Sequence, residues 1–390
     1  MTDRFKLFTE HCTNLEVLNI SFDMQDPEVW DNLSTLVRRN PRIKSIDILD
    51  VSFKPPPKAF LEALSACTGL RKLKARMDEP DGIEMELILD IAIHLEHLRI
   101  YGSNIFLPKS LDKWSCFPVM KQLKLNADTD FPIPLEIFRK CPKLRTLTWR
   151  SSEDMSDSVF DLCELLRIHC PLIETLTLFS ESLTDMDLSL VLDSCREVTS
   201  LSIYYPMFGE QAFQSLSRLF PNIRQLNFKG CRGLTSAMAQ QIMTSCPNLI
   251  QFSGASLKAR DLLGLVKDEV TEEEKMVTQD WIWLDSLSSL KQLMVLDLSG
   301  GLQQEMEEQD VRWMLEAWPK VSRVSGILHP NKERLEKLCQ ILQERKVDSY
   351  SYSISDNSTD VTSGEDTEQE EEEEEDENED EDEEEEPTMG

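Results

Sequence analysis

The sequence predicts an α/β leucine-rich-repeat solenoid: a right-handed horseshoe of about 12 repeats, with parallel strands on its concave face and helices on its convex face. Two observations carry this fold class. A short apolar pattern, L-x-x-L-x-L, recurs at a nearly constant step along most of the 390 residues, and the stretches between its copies alternate apolar and polar residues at helical spacing. A third observation limits the repeats: the last 44 residues carry 22 Asp and Glu and no Lys or Arg, so they cannot join a packed core.

The repeat unit is a helix ending in C/F/N/W-P-x, followed by the strand pattern. Its clearest copies run from Cys141 to Trp149, Cys170 to Leu178, Phe220 to Phe228 and Cys246 to Gly254. The first apolar residue of each copy falls at Leu15, Ile43, Leu70, Leu95, Met120, Leu144, Ile173, Val198, Ile223, Leu249, Leu293 and Val321. Ten of the eleven steps lie between 24 and 29 residues. Asp3 to Cys12 is expected to be the helix that precedes the first strand. Farther along, Phe160 to Leu166 and Met186 to Leu192 place apolar residues three and four apart, and Thr184 with Asp187 forms a capping signal. One strand and one helix cannot bury their apolar faces alone, so the units must stack.

The exceptional step, 44 residues from Leu249 to Leu293, marks an irregular insertion at about 255–290. Within it, Lys258 to Met276 is charged and helical in pattern, and Trp281-Ile282-Trp283 reads either as inward packing of an eroded repeat or as part of a projecting binding element. A C-terminal capping helix is expected at about 331–346. The domains are therefore residues 1–346 as repeats and 347–390 as a disordered acidic tail.

Charge and cysteine placement narrow the function classes. The whole chain carries −31, most of it in the tail, which leaves the repeat region at −9. No signal-peptide pattern opens the sequence, and no segment approaches 18 uninterrupted apolar residues. The expected location is cytoplasmic and/or nuclear, away from any membrane. Six of the ten cysteines (Cys12, Cys67, Cys141, Cys170, Cys195, Cys246) fall in one slot, three residues before the strand pattern. A cysteine repeated in one slot reads as a small reduced packing group rather than half of a disulfide.

The segment Leu226-Asn227-Phe228-Lys229-Gly230-Cys231-Arg232-Gly233-Leu234-Thr235, continuing to Cys246-Pro247-Asn248-Leu249, resembles the cysteine-containing, ribonuclease-inhibitor-like repeat of F-box proteins. Leu183-Thr184-Asp185 matches a turn of the same repeat. The irregular spacing and the late unit Trp313 to Pro319 are similar to the fungal F-box/leucine-rich-repeat proteins. The resemblance implies a protein-interaction module that recognises substrates for an SCF-type ubiquitin ligase, with protein degradation as the outcome. It also implies a cullin-ligase adaptor as partner where an F-box stands upstream. Here the first strand is reached at Leu15, so the chain is expected to lack the F-box itself. Phe131 to Phe138 resembles an F-box opening but sits at repeat spacing, and the repeat reading takes precedence. An alternative is an acidic-tailed repeat protein acting as a GTPase-activating or histone/basic-protein-binding factor. Against the GTPase-activating form, slots where an asparagine is expected hold Asp23, Glu181, Cys231 and Gly301.

An enzyme is not expected. Phosphate-binding glycine loops, G-x-S-x-G and H-E-x-x-H are all missing from the sequence. His94 and His97 flank Glu96, but that trio lacks the fixed geometry a metal needs. No cofactor and no metal are expected.

A binding surface follows instead from the two-residue period of a strand. The side chains between the apolar positions face outward: Lys72, Lys74 and Arg76, then His97, Arg99 and Tyr101, then Gln122, Lys124 and Asn126. Thr146, Thr148 and Arg150 follow, then Thr175, Thr177 and Phe179, then Ser200, Ser202 and Tyr204. Six Lys/Arg and one His on four successive strands make a basic stripe on an acidic protein. The expected partner-binding residues are Lys72, Lys74, Arg76, His97, Arg99, Tyr101, Lys124, Arg150, Phe179 and Tyr204, and the expected partner is an acidic or phosphorylated protein. Nucleic acid is disfavoured, because the tail repels phosphate backbones.

Overall fold

The computed structural model describes residues 2–20, 27–48, 56–77, 82–103, 108, 111–128, 135–150, 156–254, 257, 287–299 and 304–350. Thirteen parallel strands form one sheet in strict chain order. They are β1 (Val17–Ile20), β2 (Ser45–Ile48), β3 (Lys72–Arg76), β4 (His97–Ser103), β5 (Gln122–Asp128), β6 (Thr146–Arg150) and β7 (Thr175–Phe179), then β8 (Ser200–Tyr204), β9 (Gln225–Asn227), β10 (Gln251–Ser253), β11 (Val295–Asp297), β12 (Arg323–Ser325) and β13 (Asp348–Tyr350). The described helices are α1 (Thr2–His11), α2 (Pro27–Arg39), α3 (Lys58–Ser65), α4 (Gly82–Ala92), α5 (Glu136–Arg139) and α6 (Ser156–His169), then α7 (Asp185–Ser194), α8 (Glu210–Ser217), α9 (Ser236–Ser245), α10 (Glu308–Ala317) and α11 (Lys332–Glu344). This is the leucine-rich-repeat solenoid that the step length predicts.

The strand pattern sets the core. In β3, Leu73 and Ala75 are buried while Lys72 is exposed, and the same alternation recurs in β7 and β8. The inward residues of all the repeats join with the apolar faces of the helices into one continuous cluster, from Leu18 to Val347. A backbone device repeats alongside it. Two successive N–H groups at the entrance of each strand from β2 to β12 donate to one carbonyl of the preceding repeat: Arg71 and Lys72 to Lys44 O at 2.9 and 3.0 Å, and Arg224 and Gln225 to Thr199 O at 2.7 and 3.1 Å. This recurring pair carries the ladder from strand to strand, and at β13 the Asp348 N–H alone continues it, to Ser322 O at 2.8 Å.

The long step does not interrupt the ladder. Met294 and Val295 donate to Ile250 O at 2.8 and 3.1 Å, and β10 pairs directly with β11. The additional residues therefore add no strand between them. Lys258 to Met276 and Trp281-Ile282-Trp283 lie outside the described residues, as does the tail beyond residue 350.

The cysteine slot has a chemical basis beyond size. Cys67 and Cys170 are buried, and each thiol points at a carbonyl near the helix end of the preceding repeat: Val37 O at 3.7 Å and Phe138 O at 3.4 Å. Trp318 occupies the same slot near the C-terminal end of the sheet, and its indole N–H donates to Leu287 O at 2.8 Å. Asn40 fills the slot in the second repeat. It accepts Leu15 N–H at 2.9 Å and donates to Cys12 O and Leu36 O at 2.8 Å each. At Asn40, Cys67, Cys170 and Trp318 the slot thus holds a side-chain donor that meets carbonyls left over at a helix end, whereas Ala92, Phe117, Phe220 and Leu290 fill it by apolar packing alone.

The end of the solenoid differs from expectation at one boundary. Val347 is buried and residues 348–350 pair with β12, so the first three tail residues after Val347 belong to the sheet. The compact unit comprises residues 1–351. The charge count masked this strand, because only Asp348 in it is acidic.

Candidate protein-binding surface

Register places the ten predicted residues in two groups rather than one stripe. Successive strands stand about 4.8 Å apart, so residues paired in register form rows across the sheet. Lys74, Arg99 and Lys124 share one row; Lys72 and His97 share the row before it, and Arg76 and Tyr101 the row after. Arg150, Phe179 and Tyr204 form a row on β6, β7 and β8, at the level of Arg76 and Tyr101, two residues beyond the row that Lys124 shares with Thr148, Thr177 and Ser202.

The cationic group is held by its own side chains. Tyr101 lies between two ammonium groups, with Lys74 Nζ 5.8 Å and Lys124 Nζ 5.3 Å from its ring centre. His97 Nδ1 and the Arg99 guanidinium converge on Gln122 Oε1, at 3.0 Å and at 3.1 and 3.3 Å. Lys74 also makes a half-buried ion pair with Asp47 at 2.9 Å. Asp47, Lys72, Lys74, His97, Arg99 and Gln122 line a shallow groove of about 380 Å³ over β1 to β5. At the strand entrances beside it, Lys121 stands 2.7 Å from Glu96. That hydrogen bond holds the Glu96 carboxyl below the usual carboxylate range, with the charge of Lys121 adding to it. Glu96 is therefore committed to a lysine, and His94 is exposed. Among the described residues no cluster of three His, Cys, Asp or Glu side chains could hold a metal.

The aromatic group is built differently. Phe179 and Tyr204 stack face to face, with centroids 4.2 Å apart and planes 9° from parallel. The Tyr204 hydroxyl accepts from Asn227 Nδ2 at 3.0 Å, and burial raises its pKa above that of an ordinary phenol. Tyr205 follows with φ +75°, a left-handed conformation that is rare for an aromatic residue. It is held by its N–H to Lys229 O at 3.2 Å, and it is 45 % exposed. Met207 is 52 % exposed beyond it, with its own N–H bonded to Leu183 O at 3.2 Å. Alternation along the strand points to Phe179 and Tyr204 but stops there. Tyr205 and Met207 lie past the strand end, where the left-handed turn sets the Tyr205 ring 6.4 Å from that of Tyr204.

Between the groups lies a block of six hydroxyl residues in register: Thr146, Thr175 and Ser200 in one row, Thr148, Thr177 and Ser202 in the next. Thr148 departs from the expected exposure and is buried.

No known protein-family profile matches the chain. The BTB/POZ domain-containing protein FBL11 of Arabidopsis thaliana is 34 % identical over 94 residues, which are 24 % of this chain. The chain spans about a tenth of the length of that curated relative. Among solved structures, an internalin (InlF) of Listeria monocytogenes is similar at 15 % identity and a TM-score of 0.43, over 89 % of this chain and 88 % of its own. The Rad7 and Elc1 complex of yeast matches at 14 % identity and 0.45, over 85 % and 81 %. The leucine-rich-repeat protein LegL7 of Legionella pneumophila matches at 13 % and 0.43, over 85 % and 98 %.

Proposed function

We propose that this chain is a protein-interaction module that receives an acidic or phosphorylated partner on the open face of its sheet, and that it selects substrates for SCF-type, ubiquitin-dependent degradation. The observation that carries the partner class is the row Lys74–Arg99–Lys124 on a repeat region of net negative charge. Three cations within about 10 Å attract anionic groups and slow their departure. The ubiquitin-ligase role rests on the cysteine-containing repeat at Leu226 to Leu249, where the resemblance to F-box proteins is most specific. No catalytic step is assigned to the chain.

Affinity purification of the tagged full-length chain tests both parts. Acidic or phosphorylated proteins are expected, joined by a cullin-ligase adaptor where an F-box stands upstream, and the triple substitution Lys74→Glu, Arg99→Glu and Lys124→Glu should lose the acidic proteins while keeping any adaptor. Recovery of the same acidic proteins by the triple variant would overturn the partner assignment. The 22 acidic residues of 347–390 favour a second reading, binding of histones or other basic proteins. That reading expects basic proteins in the purification and their loss when residues 352–390 are removed.

A further inference from the structure

We propose that the ledge formed by Phe179, Tyr204, Tyr205 and Met207 is a second anchor for the same partner, taking an apolar side chain about five residues from the partner's acidic group. The proposal rests on the acidic-partner reading above and adds to it a specificity element with its own residues.

Three observations converge on the ledge. Tyr205 and Met207 are about half exposed, large and apolar; the Tyr205 ring adjoins Tyr204 of the stacked pair at 6.4 Å, and Tyr205 and Met207 face Gly230 and Gly233 of one loop. Exposed aromatic residues with Met beside them are the usual anchors of protein interfaces. The turn that presents them is rigid. Tyr205 N–H bonds to Lys229 O, Arg232 N–H to Pro206 O at 3.0 Å, and Phe208 N–H to Arg232 O at 2.7 Å. A left-handed tyrosine persists only where its surroundings impose it, and such residues concentrate at binding sites.

The floor between the two anchors suits an extended chain. Five accessible hydroxyl side chains, Thr146, Thr175, Thr177, Ser200 and Ser202, cover β6, β7 and β8, flanked by the cations of β3 to β5 and by Gln225 and Asn227 on β9. Hydroxyls both donate and accept, so they can meet the N–H and C=O groups of a segment crossing the strands. Register carries the Lys124 row to Ser202, so Tyr204 lies three strand spacings across and two residues along the sheet from Lys124, about 16 Å away. An extended segment covers that distance in about five residues, at roughly 3.3 Å each. The occupant is therefore an extended protein segment with a carboxylate or phosphate cluster at one end and an apolar side chain about five residues away.

Fluorescein-labelled peptides test this on the full-length chain by anisotropy. Each carries three glutamates, a spacer of one to eight serine and threonine residues, and a terminal tryptophan; a matched series ends in serine instead. The tryptophan series should bind most tightly with a spacer of three to five residues, about tenfold better than its serine counterpart. The double variant Tyr205→Asn, Met207→Ser should abolish that gain and leave the serine series unchanged. Asparagine tolerates the left-handed turn, and both positions are exposed, so the fold is retained. A tryptophan gain that is absent, independent of spacer length, or intact in the double variant overturns the ledge alone. Equal binding of every peptide by the triple Lys74/Arg99/Lys124 charge reversal overturns the acidic reading, and the spacing rule with it.

Discussion

The carboxylate of Asp185, in the first turn of α7, accepts the backbone N–H of Gly209 at 2.8 Å at the start of the next helix, α8. It also takes the N–H groups of Gln211 at 3.0 Å and Ala212 at 2.9 Å. One side chain thus caps the helix of the following repeat, while Gly209, the N-cap residue itself, has no side chain to do so. A Cβ at Gly209 would stand 2.7 Å from Asp185 Oδ2, so the glycine leaves room for the carboxylate. Asp185→Ala should cost about 2 kcal/mol of unfolding free energy, a charged cap with three donors left unpaired. Urea denaturation followed by circular dichroism measures it. A loss below about 0.5 kcal/mol would place the capping energy elsewhere.

The two glycines of the segment Lys229 to Thr235 have separate duties. Gly233 has φ +85°, and a Cβ there would meet Phe208 O at 2.7 Å, a backbone atom that cannot swing aside. Gly230 has φ +73°, and its Cβ would meet the Tyr205 ring at 2.7 Å. Gly233→Ala should therefore destabilise the chain by about 2 kcal/mol. Gly230→Ala should instead displace Tyr205 and weaken the tryptophan-dependent peptide affinity, with a smaller fall in the urea midpoint. Equal effects of the two substitutions on both measurements would refute this division.

These residues mark what the sequence discloses and what it withholds. Period and step were sufficient for the strands up to β12, because each inward Leu or Ile must repeat to keep a continuous core. The outward rows were equally legible, since Lys74, Arg99 and Lys124 occupy the same slot of successive repeats. The capping pair Thr184 and Asp187 also forms as its spacing predicts, with Thr184 N–H donating to Asp187 Oδ2 at 3.0 Å and Asp187 N–H to Thr184 Oγ1 at 3.2 Å. Cross-repeat relations were not legible. Asp185 reads as a generic first-turn acid until α8 is brought beneath it. Tyr205 joins the ledge only because the loop at Lys229 to Arg232 fixes its turn. Asp47 lay open to the same alternation that exposes Lys74, but a search for clustered cations passes over the acid beside them.

Buried cysteine thiols should make the fold sensitive to alkali. Burial pushes Cys170, Cys195, Cys231 and Cys246 up to about 12 from the ordinary 9.0, because a thiolate in the core loses its hydration. Below pH 9 the thiols are protonated in folded and unfolded chains alike, and they leave stability unchanged. Between pH 9 and 12 the unfolded chain releases protons that the folded chain retains, so stability falls as pH rises, by up to about 1.4 kcal/mol per pH unit for each thiol. Urea midpoints at pH 8, 9.5 and 10.5 should drop progressively, and Cys195→Ala with Cys246→Ala should flatten the drop even though it lowers the midpoint at pH 8. An unchanged slope in the double variant would assign the alkaline loss to other groups.

Asp47 competes with the partner for Lys74. Its Oδ2 holds the ammonium at 2.9 Å, while its Oδ1 is buried without a hydrogen-bond partner. Asp47→Asn preserves the shape, removes the competing charge and frees Lys74 beside Arg99 and Lys124. The affinity for the tri-glutamate peptide should rise about threefold at 50 mM salt, in keeping with the ~0.7 kcal/mol of a half-exposed ion pair. At 500 mM salt, where the screening length falls to a few ångströms, the parent and variant chains should bind alike. A gain that persists at high salt would mean that the substitution reshapes the groove rather than its potential. A loss of affinity at low salt would mean that Asp47 positions Lys74 for the partner instead of withholding it.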